Sequence, residues 1–379
     1  MPTLQELIMS GQVSFFALSR HDDIASALRD PLMSSDQDNW EGADLLTDRT
    51  QPPALSELFA HWMLFMDPPD HTRVRSLVNK AFTARSVERM RPRIQQLTDE
   101  LLDAVADRGE MEVMEDFAFP LPIRVICEML NVPPEEHARF RTASQTLAAT
   151  LDVGEKSQEL LDEWEVHARP FVDYMKSLIE NRRHNPGDDL LSRLIAATDD
   201  EDRLSEGELL GTVSLVLGAG FETTMNLIGN AVFTLLRHPD QLARLKDDPS
   251  LVASAVEEVL RYEPPVMATA RVSLKDTEIG GNEVRCGQQG VMMLASANRD
   301  ADVFDDPGSF DVSRAPNPHL TFGGGHHFCP GAALARLEGQ IAIGTLVRRF
   351  PDLSLMAEPE WRQTVTLHGL KELRVKLTS

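Results

Sequence analysis

Cysteine is scarce in this chain. Its three cysteines, Cys127, Cys286 and Cys329, lie far apart and cannot build a disulfide framework. That count suits a reducing compartment, so a cytoplasmic protein is expected. Basic residues are also in short supply, with 37 Lys and Arg against 60 Asp and Glu and a formal charge of −23. Such a surface repels phosphate backbones and anionic lipid, which argues against nucleic acid and membrane partners. A partner that docks through charge would need a local basic patch. Long hydrophobic runs are missing as well. The longest uncharged apolar stretch, Leu209 to Phe221, has 13 residues, whereas a membrane-spanning helix needs about 20. The first twenty residues have no basic start, long apolar run or small-residue cleavage site, so no signal peptide is expected. Repeats and low-complexity linkers are absent from the sequence too.

What is present is ordinary for a globular chain able to bury a large core, with 42% hydrophobic and 26% charged residues. Proline and glycine fall between helical patterns, which predicts one continuous domain over residues 1–379, mainly α with small β-sheets. Short β-like runs occur near Val13–Ser19, Ala268–Ile279, Gly290–Leu294 and Leu373–Leu377. The long remaining segments follow the 3.6-residue period. Ser205-Glu206-Gly207-Glu208 has the form of a capping box. From there the helical pattern continues to Arg237, and His238-Pro239 stops it. Those 32 residues would span roughly 48 Å at about 1.5 Å per residue, enough to cross the middle of the molecule. Within this helix Gly218, Gly220, Glu222, Thr223 and Thr224 cluster, placing polar groups in an otherwise apolar element. Gly218-Ala219-Gly220 is not a dinucleotide loop, since no third glycine follows and it lies mid-helix.

The strongest chemical signal is Phe322-Gly323-Gly324-Gly325-His326-His327-Phe328-Cys329-Pro330-Gly331. Its glycines permit backbone conformations and close approaches that other residues block. Pro330 suits the first turn of a helix, and a periodic run to Phe350 follows. Cys329 is thereby expected at a helix N-terminus, where free N–H groups and the dipole favour a thiolate. A thiolate in a tight glycine loop suits the proximal side of a haem iron. An isolated cysteine would more often be an inert buried thiol. Zinc on His326, His327 and Cys329 is weaker still, because no second ligand pair stands at suitable spacing.

The decapeptide resembles the haem-binding loop of the cytochrome P-450 family, Phe-Gly-x-Gly-x-His-x-Cys-x-Gly, at every fixed position, and further motifs follow in family order over nearly the whole chain. The resemblance implies the cytochrome P-450 fold, with a long central helix over haem b, Cys329 as axial iron ligand and dioxygen as co-substrate. Phe322, Gly323, Gly331 and Ala219 would line the haem. Glu258 and Arg261 match the family's Glu-x-x-Arg and lie three apart on one helical face. The family adds an arginine from a later loop, here Arg314, to brace the cysteine loop. An arbitrary pair of this kind is a surface ion pair worth under about 1 kcal/mol.

Ala219-Gly220-Phe221-Glu222-Thr223 is similar to the family's oxygen-activating segment. The likeness makes Thr223 a hydrogen-bond donor to dioxygen and Glu222 a proton relay. In an arbitrary helix Thr223 would instead bond back to the carbonyl four residues earlier and Glu222 would face solvent. His71 and Arg75, four apart and so on one helix face, together with Arg271 and His327, match the family's donors to the haem propionates. Cationic donors suit a carboxylate because charge-assisted bonds are the stronger ones.

By the same resemblance, substrate contacts fall before His71, around residues 140–180, on the central helix, after the Glu-x-x-Arg helix and near the carboxyl end. These include Trp62, Leu215, Val216, Ala219, Val266, Met267, Ala268 and Val365, a mostly apolar set. The amino terminus looks a few dozen residues shorter than the family's, judged by where Val13–Ile24 falls. No flavin or nicotinamide domain is fused to the chain, so electrons would come from a ferredoxin-type donor and its NAD(P)H reductase, to a monomer. The expected function is hydroxylation or epoxidation of a small organic molecule, in the manner of natural-product enzymes acting on polyketide-like intermediates. Coupling, desaturation or rearrangement would use the same residues. A non-catalytic haem sensor would have no need of a proton relay.

Overall fold

The computed structural model describes residues 13–43, 53–137, 142, 158–199 and 202–377. Among them run seven helices of ten residues or more: α1 Asp70–Ala81, α2 Arg91–Ala106, α3 Pro120–Met129, α4 Gln158–His184, α5 Glu206–Arg237, α6 Val252–Tyr262 and α7 Ala332–Arg349. The strands of the two larger sheets are β1 Phe15–Leu18, β2 Met33–Ser34, β3 Glu110–Glu112, β4 Thr269–Ser273, β5 Gln289–Met292, β6 Ser354–Leu355 and β7 Arg374–Lys376. They form a four-stranded sheet in the order β1-β5-β4-β2 and a three-stranded sheet in the order β6-β7-β3. β1 pairs with β5 in parallel, and β5 with β4 antiparallel. The architecture is mainly α with small β-sheets. No helix among the described residues is long and apolar enough to cross a membrane.

The central helix α5 has the ends that its sequence foretells. Ser205 Oγ accepts the Glu208 N–H at 3.2 Å while Glu208 Oε2 accepts the Ser205 N–H at 2.8 Å, so two helix-end donors are satisfied reciprocally. At the other end Pro239 opens a separate helix after the break at His238. α5 packs against α3, α6 and α7 and the segments Pro53–Phe59 and Met114–Ala118. Val213, Leu217 and Phe221 are fully buried there. Burial of such side chains, at about 25 cal/mol per Å² of apolar surface, outweighs the weak helix preference of the glycine-rich middle.

Three local expectations are revised. α7 begins at Ala332 with Gly331 as its N-cap, so Pro330 precedes the first turn instead of occupying it. A residue before proline is pushed away from helical geometry, and Cys329-Pro330-Gly331 forms a turn in which the Ala332 N–H approaches the Cys329 carbonyl at 3.4 Å. The run Ala268–Ile279 is two strands, Thr269–Ser273 and Thr277–Ile279, because Ser273 Oγ bonds to the Lys275 carbonyl at 2.7 Å and turns the chain. Leu294 starts a short helix, Leu294–Ala297, after β5 has ended.

Candidate functional site

Glu258 and Arg261 lie on α6 and are both fully buried. Arg261 donates Nε to Glu258 Oε2 at 2.8 Å and Nη2 to Oε1 at 2.7 Å, a two-pronged pair. Arg314 donates Nε to both oxygens at 3.1 Å. Arg261 also reaches the carbonyls of Asn298, Pro307 and Ser309 at 2.8–2.9 Å, which the planar guanidinium fork permits and an ammonium does not. Residues that carry no local motif extend this network toward the cysteine. Asn317 donates to Glu258 Oε2 at 3.1 Å, Thr321 Oγ1 to the Leu260 carbonyl at 2.6 Å, and Asn298 to Thr321 Oγ1 at 2.9 Å. One residue along α6, Glu257 takes two bonds from Arg336 of α7 at 2.7 and 2.9 Å and faces His319 at 3.1 Å. Burial alone would raise its pKa, yet His319 and Arg336 hold it down at about 2.

The Phe322–Gly331 loop closes on itself. The Cys329 N–H donates to the Phe322 carbonyl at 2.9 Å, and the Gly323 N–H to Leu320 at 2.8 Å. Gly325 has φ +64, and any Cβ there would strike the Leu28 carbonyl, so both backbone conformation and space demand glycine. Arg75 Nη2 ties α1 to the loop at the Phe328 carbonyl, 2.6 Å away. The Arg336 guanidinium lies 4.5 Å from the Phe322 ring centroid. Burial pushes the Cys329 thiol up, while the N–H groups of Gly331 and Ala332 and the charges of Arg75 and Arg336 pull it back. The loop thus aims donors at the sulfur, as a thiolate requires.

Beside the loop, four basic groups, His71, His326, His327 and Arg271, converge around a single carboxylate, that of Asp67. The His71 and His327 rings are 4.2 Å apart, and His326, which the sequence had suggested only as a weak zinc ligand, is 4.6 Å from His327 and 5.1 Å from His71. Both ring nitrogens of His71, Nε2 of His327 and Nε2 of His326 are buried without a hydrogen-bond partner. Burial, with the neighbouring positive groups, pushes His71 down to about 4 and His327 to about 2. Arg271 is 6% exposed, bonded to neutral oxygens of Ala270 at 2.7 Å and Thr269 at 3.4 Å, and burial lowers it to about 10. Asp67, His326 and His327 also bring three ligand-type atoms within 4.8 Å of one another. The Asp67 carboxylate, however, is committed to Ser34 Oγ and the Ser35 N–H. Unpaired buried donors are costly.

α5 is buried on most sides, but Leu215, Val216, Ala219, Gly220 and Thr223 are only half-buried. Their spacing puts them on one helical face. Thr223 Oγ1 donates to the Ala219 carbonyl at 2.7 Å, so its one proton is engaged and its lone pairs remain. Glu222 does not face solvent; it is 3% exposed, and burial pushes its pKa up. Among the other expected pocket residues, Val266 bridges Leu367 and the Met267 N–H donates to the Thr366 carbonyl at 2.8 Å. The strand end and the carboxyl-terminal turn that carries Val365 therefore meet. Ala268 is half-buried and Val365 is 59% exposed. Trp62 is fully buried, its indole N–H donated to Ser214 Oγ at 2.8 Å, so it anchors the segment before α1 to α5. Residues 140–141 and 143–157 of the expected substrate region lie outside the described residues.

A cysteine loop of this shape, braced by a buried Glu-Arg pair that Arg314 joins and flanked by buried imidazole nitrogens without partners, fits a haem-thiolate protein. The family model for Cytochrome P450 matches residues 47–366. Cytochrome P450 107B1 of Saccharopolyspora erythraea is 45% identical over 95% of this chain and 88% of its own. The 6-deoxyerythronolide B hydroxylase of the same organism is 42% identical over 94% and 89%. The solved structure of the Bacillus subtilis bacillaene polyketide synthase cytochrome P450 PksS superposes with a TM-score of 0.87 at 38% identity, covering 96% of this chain and 90% of that one. The chain belongs to the cytochrome P450 family and is a P450 monooxygenase. Membership implies haem iron and dioxygen. The buried, partnerless donors of His71 and His327 and the neutral-bonded Arg271 suit its propionates, and the donors aimed at Cys329 suit an iron-bound thiolate.

Proposed function

We propose that this monooxygenase hydroxylates or epoxidises a small, mostly apolar natural-product molecule of polyketide type, working in the cytoplasm with electrons from a ferredoxin-type donor and its NAD(P)H reductase. The observation that carries this reading is the half-open face of α5. Apolar Leu215, Val216 and Ala219 border it, and Thr223 lies beside the buried acid Glu222. An apolar face with few polar groups suits a substrate held away from water. The polyketide lean is supported by the likeness to the bacillaene enzyme.

Haem b held by Cys329 would supply the redox centre at which dioxygen is reduced and one oxygen atom enters the substrate. His71, Arg75, Arg271 and His327 would hold its propionates. Ala219 and Gly220 keep the helix face low, since neither carries a side chain beyond Cβ. Thr223 has its proton turned to the Ala219 carbonyl and so presents an acceptor to that face. Glu222 would hold and release protons at its carboxylate.

The test is the carbon monoxide difference spectrum of the reduced protein beside Cys329→Ser, followed by turnover of candidate polyketides with ferredoxin, reductase and NADPH. A strongly red-shifted Soret band lost in Cys329→Ser, with product heavier by one oxygen, is the expected result. Well-folded, haem-loaded protein without that band would refute thiolate ligation. Product of unchanged oxygen content would refute insertion.

A further inference from the structure

Glu222 has a partner that no motif foretells. Its Oε1 accepts a charge-assisted bond from Arg362 Nη1, a residue far along the chain. The carboxylate side chain is 4% exposed and the guanidinium side chain 31%, so the pair reaches from the interior of α5 toward solvent. The second oxygen, Oε2, is buried and has no hydrogen-bond partner.

Arg362 is held in place by a turn of chain that is itself fastened to α5. The Arg362 N–H donates to the Gly369 carbonyl at 3.0 Å and the Lys371 N–H to the Glu360 carbonyl at 2.8 Å, around a bridge between Trp361 and Leu370. Trp361 stacks on His368 with ring centroids 4.1 Å apart and meets Phe233 of α5 edge-on at 5.5 Å. Asn230 donates its Nδ2 to the carbonyls of His368 and Glu263 at 3.1 Å each. Gly369 sits so close to the Asn226 amide that any Cβ would collide with it. Positions 222, 226 and 230 follow one another at one-turn intervals, so a single face of α5 holds this segment. Arg362 is therefore fixed against the acid and is not a wandering surface arm.

Two opposing effects meet at Glu222. Burial disfavours the ionised carboxylate, and an adjacent guanidinium favours it; the pKa is raised by burial and drawn back chiefly by Arg362, with a smaller contribution from the Asn226 side chain. A relay group works best when it can change protonation state at working pH. A buried glutamate with no cation would stay protonated.

We propose that Arg362 is the positioning residue of the proton relay: it fixes Glu222 through Oε1, keeps the carboxylate able to ionise, and leaves Oε2 as the atom that takes up and releases protons. This rests on the reading of Glu222 as a relay group. Each relay step takes up one solvent proton at Oε2 and passes one on, restoring the carboxylate; a turnover that inserts one oxygen atom and releases the other as water uses two protons, and no electrons move through the pair.

The experiment compares wild type with Arg362→Met and Arg362→Lys. In the resting, haem-loaded protein at neutral pH, infrared difference spectra should show a new protonated-carboxyl band in Arg362→Met that vanishes in Arg362→Met/Glu222→Gln. In turnover, Arg362→Met should divert electrons to peroxide and lower product per electron by roughly tenfold, below the about 10²–10⁴ that a whole acid–base group supplies. Its solvent deuterium isotope effect on product formation should rise. Arg362→Lys should recover most of the yield, and the carbon monoxide spectrum should stay unchanged throughout. Absence of the carboxyl band in Arg362→Met overturns the proposal, as does a band accompanied by wild-type yield and isotope effect. Loss of the thiolate-type spectrum in wild type would sink the monooxygenase reading instead, and the infrared comparison would still decide whether Arg362 sets the charge on Glu222.

Discussion

Replacing Glu258 by alanine should cost this protein several kcal/mol, and the geometry says why. Glu258 is fully buried and accepts from Arg261 twice, from Arg314 at both oxygens, from Asn317, and from the Asp311 N–H at 3.0 Å. Truncation removes the only carboxylate that touches the fully buried Arg261 among the described residues. The guanidinium keeps its three carbonyl acceptors, so the penalty is chiefly that of an uncompensated buried charge. Breaking such a pair costs about 3–5 kcal/mol, or roughly two to nearly four powers of ten in the folding constant. Because the same network reaches Thr321 and the Phe322 carbonyl that holds the Cys329 N–H, haem retention should fall with stability. Urea denaturation of wild type, Glu258→Ala and Glu258→Ala/Arg261→Met, read beside the carbon monoxide spectrum, measures both. The double variant should recover part of the loss, since it removes the stranded charge. A loss below about 1 kcal/mol in Glu258→Ala, the range of a surface ion pair, would refute the reasoning.

Other outcomes follow from single positions. Thr223→Ala should leave haem loading and the carbon monoxide spectrum as in wild type while lowering product per electron and raising peroxide; an unchanged yield would count against the role given to the hydroxyl. Gly325→Ala should impair haem uptake and lower the melting temperature, because φ +64 and the Leu28 carbonyl both oppose a Cβ; normal uptake would show that the loop can shift. Burial pushes the fully buried Glu338 up to about 8 from an ordinary 4.5. Between those two values the unfolded chain has lost this proton and the folded one keeps it, so stability should fall as pH rises through the window and level off above about 8. Glu338→Gln, which cannot ionise, should lack that contribution, so its advantage over wild type should grow from pH 5 to pH 8 in urea midpoints; parallel curves would contradict it.

Features decided within a few neighbouring residues were legible in the amino-acid order. The Ser205–Glu208 capping box and the His238-Pro239 stop delimit α5 because helix ends are satisfied by adjacent groups. The Glu258–Arg261 pair follows from helical spacing. The glycine pattern around Cys329 marks backbone geometry that few other residues adopt. The meeting of Asp67 and His326 with His71 and His327 was not legible, because nothing in their spacing says which neighbour they meet. The Thr223 hydroxyl took the local bond to Ala219 that any threonine in a helix can make, whereas the burial of Glu222 depends on what packs over it.

Arg362, Asn298, Asn317, Thr321, Glu257 and Arg336 carry no local signature at all. In the sequence they are scattered polar residues indistinguishable from a solvated surface. Their partners lie tens to more than a hundred positions away, and only the packing of α6, α7 and the carboxyl-terminal turn brings them together. Trp62 shows the same limit from the apolar side: its composition suits a pocket wall, but Ser214 takes its indole proton and makes it an anchor. The sequence by itself determined the helices, the thiolate loop and the family, since short-range sterics and hydrogen bonding set them. Which buried charges are compensated, and by whom, was decided only by the tertiary structure, because desolvation and ion pairing depend on groups that the chain order does not place side by side.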